Sequence, residues 1–469
     1  MNETQTLFAA LRQSADPEAV SAIEALVREA PDRQLCRVNA LDFAAKRGLD
    51  EDRVIAALLH AARLGLFELS WNVLCPGCGG VLETVASLKS VDRAEYGCAL
   101  CAAGYEPTLD EMVEVTFTVS PRVRRIAAHD PTQLPPAEYC RQMFWSSGID
   151  MPDESFEKML EEVTLEMIEL PPGEKALLSL TLPAEFVIVF DPVTHFAQFI
   201  DVKGEPTRER QALSIVFNKA QAATSTLTMH PGPLRLTLDN RTDLRIVPGV
   251  YVAGQAMHDM LGKRKPFLTA KRLLTNQTFR DIYRTDTLDV DQRLKITSLT
   301  FLFTDLKGST DLYERVGDLV AFDLVKEHFR ILHEIIAAES GAVVKTIGDA
   351  VMATFATPER AIAAALRMRE AMRSLNEQHR SEDLLLKIGI HEGPCLAVTL
   401  NDRQDYFGQT VNIASRVQGL AVSRSILATG SVVDHPQVSE LLETDGIKPT
   451  PRRFPLRGIA EEFAVYEIP

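Results

Sequence analysis

Apolar and polar positions recur along this chain with two different periods, and the changes of period divide it. From Val20 to Ala30 the apolar residues share one helical face, and Ala40–Leu49 and Asp50–Leu64 repeat that pattern on either side of Gly48. Gly48 is placed to end one helix and Asp50 to cap the next, after which Leu66–Trp71 alternates as a strand. Helix, glycine turn, helix and strand predict a winged-helix-like segment over residues 1–73. Beyond Arg122 the period shortens to two. Strands are predicted at Ala176–Leu182, Phe186–Phe190, Phe196–Val202, Ala212–Phe217, Thr224–Met229, Leu234–Leu238 and Leu244–Val252, with Pro231-Gly232-Pro233 and Pro248-Gly249 as punctuation. About seven short antiparallel strands at such spacing predict a β-sandwich. The helical period returns over Phe267–Tyr283, a linker helix closing a 122–285 regulatory segment.

The remainder, a 286–469 domain, alternates strands and helices. The pattern reads as strand 298–304, helix 310–339, hairpin 342–355, helix 358–379, strands 384–390 and 394–400, helix 409–421, strand 425–429, helix 430–443 and a strand pair near 452–457 and 462–467. Helices on one face of a mostly antiparallel sheet make this an α+β fold close to the split-βαβ, ferredoxin-like plan.

Composition narrows the function classes. The 469 residues suit about three domains, and 46% hydrophobic with 25% charged residues is ordinary for a globular chain. A net charge of −15 and a pI near 5.3 argue against a surface built for nucleic acid or anionic lipid. Residues 1–73 hold 8 basic and 11 acidic side chains, a balance of −3, so their helices are read as a packing or docking module and not as a DNA reader. The polar start Met1–Thr6 lacks a secretory n-region, and the apolar stretch Val54–Leu74 carries His60, Arg63 and Glu68, which argues against a membrane span. A cytoplasmic protein is expected.

Four of the seven cysteines form two pairs, Cys75-Pro76-Gly77-Cys78 and Cys98-Ala99-Leu100-Cys101, 19 residues apart. Each pair presents two thiolates from one turn, and two such knuckles complete a tetrahedral S4 shell. A structural zinc ribbon over 74–121 is predicted, with Gly79 and Gly104 supplying backbone freedom at the turns. Cys36, Cys140 and Cys395 have no partners at ligand spacing and are read as small buried hydrophobes.

The chemistry is expected at two aspartates. Asp305 ends the apolar run Leu299–Thr304, and Asp349 sits in the turn Gly348-Asp349 between Val343–Ile347 and Ala350–Phe355. A strand carries a carboxylate into its buried end only where something positive offsets the desolvation, and a pair of them calls for divalent cations. Leu306–Thr310 then turns into a helix, whose free N–H groups and dipole at Gly308, Ser309 and Thr310 suit phosphate oxygens.

Three motifs here resemble the catalytic domain of class III nucleotidyl cyclases. They are Phe303-Thr304-Asp305-Leu306-Lys307-Gly308-Ser309-Thr310, Lys345-Thr346-Ile347-Gly348-Asp349-Ala350-Val351-Met352-Ala353, and Asp405-Tyr406-Phe407-Gly408-Gln409-Thr410-Val411-Asn412-Ile413-Ala414-Ser415-Arg416. The resemblance spans roughly 170 residues, and the cysteine-knuckle and β-rich half also looks like one that precedes some bacterial cyclases. It implies two Mg2+ or Mn2+ ions per site, held by Asp305, Asp349 and the Leu306 carbonyl. It further implies that Asn412 orients the ribose and Arg416 stabilises charge on the α-phosphoryl oxygens, four apart on one helical face. Lys345 donating and Asp405 accepting match adenine, where guanylyl relatives carry Glu and a small thiol or hydroxyl residue. Arg457, in Pro455-Leu456-Arg457-Gly458, stands where the family places a triphosphate-binding Lys. The stretch Gly393–Gln404 departs from the Gly-rich segment of many relatives, and His391 before it is read as structural.

The resemblance assigns Asp305 and Asp349 to one protomer's half of a site, and Lys345, Asp405, Asn412, Arg416 and Arg457 to its partner's. One chain holding all of them predicts a homodimeric adenylate cyclase with ATP as substrate, regulated from its N-terminal region by an unknown ligand or protein. Guanylate cyclisation is the alternative within the enzymes. A catalytically silent zinc-containing DNA-binding or scaffold regulator is the alternative outside them.

Overall fold

The computed structural model describes residues 3–469 apart from 92–93, 152–155, 219–224, 284–287, 289–291, 380–383, 401–402, 423 and 456–461. Its contacts fall into two units. Met1–Ala86, Arg93–Pro107 and Glu111–Leu268 form one; Ser87–Asp92, Thr108–Asp110 and Thr269–Pro469 form the other.

In the first unit the helices Glu3–Ser14, Pro17–Glu29, Ala40–Arg47 and Glu51–Arg63 begin and end where local chemistry allows. Asp16 accepts from the N–H groups of Glu18 and Ala19 ahead of Pro17, and Asp50 accepts from Arg53 N at 2.9 Å. Gly48, at φ +64°, closes the third helix in the left-handed conformation. Strand Phe67–Leu74 then pairs antiparallel with Val81–Val85 on one side and Val113–Val119 on the other. The break in composition at residue 73 therefore runs through a strand, and the helical segment and the cysteine module share a sheet.

The β-rich part is two sheets over one core. Three strands run in the order Gln211–Phe217, Gly232–Asn240, Lys175–Leu182, and five in the order Leu227–Met229, Phe196–Val202, Phe186–Asp191, Gly249–Val252, Thr164–Met167. Val187, Val189, Ile200, Phe217, Leu236 and Leu238 meet between them. Not all strands are antiparallel, contrary to the sequence expectation. Gln211–Phe217 runs parallel to Gly232–Asn240, and Leu227–Met229 parallel to Phe196–Val202. The chain leaves the first sheet, adds Leu227–Met229 to the second, and returns in its original direction. Period-two alternation reports which face is buried and is blind to neighbour direction. The run read as Leu244–Val252 shrinks to Gly249–Val252, because Pro248 has no N–H and Val247 N is taken by the Asp191 carboxylate at 2.8 Å.

The second unit opens with α1 (Ala270–Leu274) and α2 (Gln277–Ile282), where one helix was expected. Asn276 splits them by capping α2, accepting from Phe279 N at 3.0 Å. There follow β1 (Leu294–Leu306), α3 (Ser309–Val316), α4 (Asp318–Ala338), β2 (Ala342–Ile347), β3 (Ala350–Phe355), α5 (Pro358–His379), β4 (Leu386–Leu400), β5 (Arg403–Phe407), α6 (Gln409–Leu420), β6 (Ile426–Thr429), α7 (Gly430–Val433), α8 (Pro436–Thr444), β7 (Thr450–Pro455) and β8 (Glu462–Ile468). The sheet order is β2-β3-β1-β4-β6-β8-β7 with β5 added to β4, and among the described residues only β4 and β6 are parallel. Three further expectations are corrected. The helix over 310–339 breaks at Gly317, φ +80°; that over 430–443 breaks before Pro436; and 384–390 with 394–400 is one continuous strand.

Helices also cover both faces of this sheet, not one. Leu302, Ile388, Ile426 and Ala428 pack with α4 and α5, whereas Leu427, between two of them, packs with Ile413 and Val417 of α6. Gly389 in β4 makes this possible, since a Cβ there would meet Gln418 N at 2.1 Å. His391 lies in the same strand with its Nδ1 2.8 Å from Thr429 Oγ1, and burial pushes it from 6.5 to about 4. It stays neutral when folded, while the unfolded chain takes up a proton below about pH 6.5. Its contribution is whole above that pH and is lost as pH falls toward 4, by about 3 kcal/mol at the limit. Urea unfolding of wild type against His391→Gln at pH 7.5 and 4.5 should show this difference in slope. Parallel pH profiles would refute it.

Candidate functional site

Asp305 is the penultimate residue of β1, directly opposite Lys387 of β4, and Lys387 Nζ lies 3.6 Å from its Oδ2. On the other side the ladder sets Thr304 opposite Val351, with Val351 N donating to Thr304 Oγ1 at 3.2 Å. One step further along stands the β2–β3 turn, where Gly348 at φ +64° precedes Asp349. The sheet thus brings the two predicted carboxylates to neighbouring positions. Asp349 Oδ2 is buried and has no hydrogen-bond partner among the described residues, a costly state for an acceptor unless a cation completes it. Hard carboxylate oxygens at a strand end and in the neighbouring hairpin turn fit Mg2+ or Mn2+. The Leu306 side chain is packed in the core, and being hydrocarbon it leaves the backbone carbonyl as the one oxygen this residue could offer an ion. Gly308, at φ +71°, is the N-cap of α3 and offers no side-chain cap, leaving the first-turn N–H groups of Ser309 and Thr310 to other acceptors. Of Ser309 and Thr310 only the backbone is described.

Lys345 of β2 and Asp405 of β5 are 60 residues apart and in contact, Nζ to Oδ2 at 2.5 Å. Asp405 is largely buried, and its other oxygen accepts from Tyr406 N at 2.9 Å, which fixes the carboxylate plane. Lys345 keeps 43% of its side chain exposed. Asn412 and Arg416 follow one above the other on α6, both exposed. Arg457 lies outside the described residues. Lys387 was missed in the sequence. Its signal was a lone cation inside the apolar run Leu384–Ile390, which alternation alone reads as a solvent-facing position.

The four thiol sulfurs of Cys75, Cys78, Cys98 and Cys101 lie within 4.8 Å of one another, with Cys75–Cys101 at 3.6 Å and Cys78–Cys98 at 3.7 Å. A tetrahedron with sulfur about 2.3 Å from zinc has edges of about 3.8 Å, so the spacing fits that ion. Gly77 keeps the knuckle uncrowded, as a Cβ would stand a tight 3.1 Å from Cys101 Sγ. Gly79 has the expected left-handed φ of +72°, but Gly104 does not; a Cβ at Gly104 would displace only the end of the exposed Glu95 side chain. Three of these cysteines belong to a core with Phe144, Trp145, Ile188, Phe190 and Tyr251, so the module is built into the β-rich part. Burial pushes the Cys140 and Cys395 thiols up to about 12, as expected for inert core residues, and Cys36 to about 11, although Cys36 is only partly covered.

The first unit also holds a cavity of about 450 Å3 lined by Arg37, Asn39, Asp42, Arg141, Trp145 and Lys265 among others. Its cations are largely paired already. Arg37 meets the buried Glu114 at 3.0 Å, while Lys46 and Lys265 share Asp42. No helix among the described residues is long and apolar enough to cross a membrane.

Comparison with known proteins divides the chain at nearly the same place. Residues 1–281 match a family of unknown function, DUF5939, and residues 292–453 match the adenylate and guanylate cyclase catalytic domain. Adenylate cyclase 1 of Rhizobium meliloti is 30% identical over 151 residues, which cover 29% of this chain and 23% of that protein. An adenylate cyclase of Anabaena cylindrica is 28% identical over 185 residues, 36% of each. The chain thus spans about a quarter to a third of the length of these relatives. The crystal structure of the adenylyl cyclase CyaB from P. aeruginosa, 23% identical, covers 38% of this chain and 96% of its own with a TM-score of 0.34.

Proposed function

Because the chain belongs to the DUF5939 family and ends in an adenylate and guanylate cyclase catalytic domain, we propose that it converts ATP to 3′,5′-cyclic AMP and pyrophosphate at sites shared by two copies. The contact between Lys345 and Asp405 carries this reading. It places a donor beside an acceptor, and adenine presents the complementary acceptor at N1 and donor at its exocyclic amine. Guanine presents the reverse, which would leave both protein groups facing like partners.

Asp305, Asp349 and the Leu306 carbonyl would hold Mg2+ or Mn2+, which when bound lowers the pKa of the ribose 3′-hydroxyl and neutralises the triphosphate. Lys387 adds fixed positive charge beside Asp305. The uncapped start of α3 gives N–H donors to the β- and γ-phosphates. Asn412 orients the ribose, and Arg416 stabilises the charge that grows on the α-phosphoryl oxygens as pyrophosphate leaves. Arg457 is assigned to the triphosphate.

The exposure of Asn412 and Arg416, which face away from their own sheet core, supports a site completed by a second copy. Ile347, Leu400 and Phe407, on the strands that carry or flank Lys345 and Asp405, are 53%, 49% and 66% exposed, an apolar rim suited to burial by that copy. Chromatographic identification of the product from ATP and from GTP, with Mg2+ and with Mn2+, tests the proposal on the full chain. Cyclic GMP as the dominant product would replace the adenylate reading, and no cyclic product under any combination would overturn it.

The DUF5939 region is read as the regulatory part, with zinc as its structural ion. Zinc held by four thiolates leaves no open coordination position, and its coupling to folding is on the order of 10 kcal/mol. Cys98→Ser is therefore expected to abolish bound zinc and to unfold the core around Phe144 and Trp145, read as a red-shifted tryptophan emission. Full zinc content and unchanged emission in this variant would exclude the site.

A further inference from the structure

The structure assigns Arg280 of α2 as a positioning residue for the purine-reading pair Lys345 and Asp405, an inference that rests on the reading of those two residues given above. Its Nη2 donates to the carbonyl of Gln404 at 2.9 Å and to that of Val344 at 3.4 Å. These are the residues immediately before Asp405 and Lys345. One guanidinium therefore ties together the backbones from which both specificity side chains project.

The two strands need such a tie. Among the described residues β2 is an edge strand that pairs only with β3, and β5 pairs only with β4, so neither is held there by a ladder on its outer side. A bulge makes β2 weaker still. Val343 pairs with Ala353 and Lys345 with Met352, which leaves Val344 outside the register. An unpaired residue at a bulge is free to rotate its peptide, and that rotation re-aims the next side chain, here Lys345. The Val344 carbonyl that the bulge orphans is the one Arg280 takes. A charged donor holds a carbonyl more firmly than a neutral one does.

Neighbouring contacts keep α2 itself in place. Gln277, one turn before Arg280, accepts from Val343 N at 2.8 Å. Tyr406, next to Asp405, donates to the Leu274 carbonyl at the end of α1 at 3.4 Å and accepts from Gln404 Nε2 at 2.9 Å. Side chains of α2 thus serve the free edge of β2 as a further strand would. Arg280 is also the penultimate residue of the DUF5939 match, which ends at 281, so the tie is made by the last turn of that match.

The test uses the full chain as wild type, Arg280→Met and Arg280→Lys. Steady-state kinetics with ATP and GTP are measured beside competition of each nucleotide against a fluorescent ATP analogue. Arg280→Met is expected to lose roughly tenfold or more of the preference between the two purines, in KM and in competition alike, while kcat at saturating ATP changes by less than about threefold. Arg280→Lys, which keeps the charge and a donor but loses the planar fork, should recover part of the preference. Unchanged selectivity in Arg280→Met overturns the assignment, as does a uniform loss for both nucleotides that Arg280→Lys does not relieve. A wild type that prefers GTP would sink the adenylate reading alone, because the tie is judged by the change in the ratio. A wild type that neither binds nor cyclises a purine nucleotide overturns both.

Discussion

Asp349→Ala protein is expected to lose cyclic nucleotide formation by roughly a thousandfold or more, with folding intact, because a divalent ion's stabilisation of transition-state charge is worth several kcal/mol. The residue sits in a hairpin turn with one oxygen buried and unpartnered, so removing it relieves the folded state of an unpaired acceptor. Activity should therefore vanish without a fall in melting temperature, a combination that separates a metal ligand from a structural turn residue. The same variant tests whether sites are shared. Mixed with Arg416→Ala protein, it should regain about a quarter of wild-type activity, since half of the dimers are mixed and each mixed dimer restores one of two sites. Zero recovery at every mixing ratio would exclude shared sites, and full activity in Asp349→Ala alone would exclude the metal role.

The Lys345→Glu, Asp405→Cys double variant is expected to exchange ATP for GTP as the preferred substrate, shifting the ratio of the two kcat/KM values by roughly two orders of magnitude or more. The magnitude follows from leaving a desolvated hydrogen-bonding group opposite a like partner, which costs more than the original bond contributes. Lys345→Glu alone should be the worst case, because it places two carboxylates where an ion pair at 2.5 Å stood. Kinetics of both single variants and the double would show the coupling. Additive effects on selectivity would mean that the two residues do not read the base as a pair.

The motifs were legible because their chemistry is local. Asp305 and Asp349 stand beside turns, the cysteines come in knuckles, and Asn412 and Arg416 follow helical spacing. The elements around them were legible for the same reason, down to Gly48 and Asp50 as helix stop and start. What went unread depended on partners distant in the chain. Lys387 was invisible as the neighbour of Asp305 until the strands were in register, and Arg280 gave no sign in the sequence that it would seek the carbonyls of Val344 and Gln404. The parallel pairs in the sandwich and the placement of α6 on the opposite face of the catalytic sheet were likewise beyond periodicity.

Residue order thus singled out the groups proposed to hold metal, phosphate and purine, because spacing along a helix, a turn or a knuckle is short-range geometry. Which of them meet was left to the packing. The contact of Lys345 with Asp405, the buried oxygen of Asp349 and the hold of Arg280 on two edge strands arise from sheet register and a bulge, and register is a property of paired strands that no single stretch of chain contains.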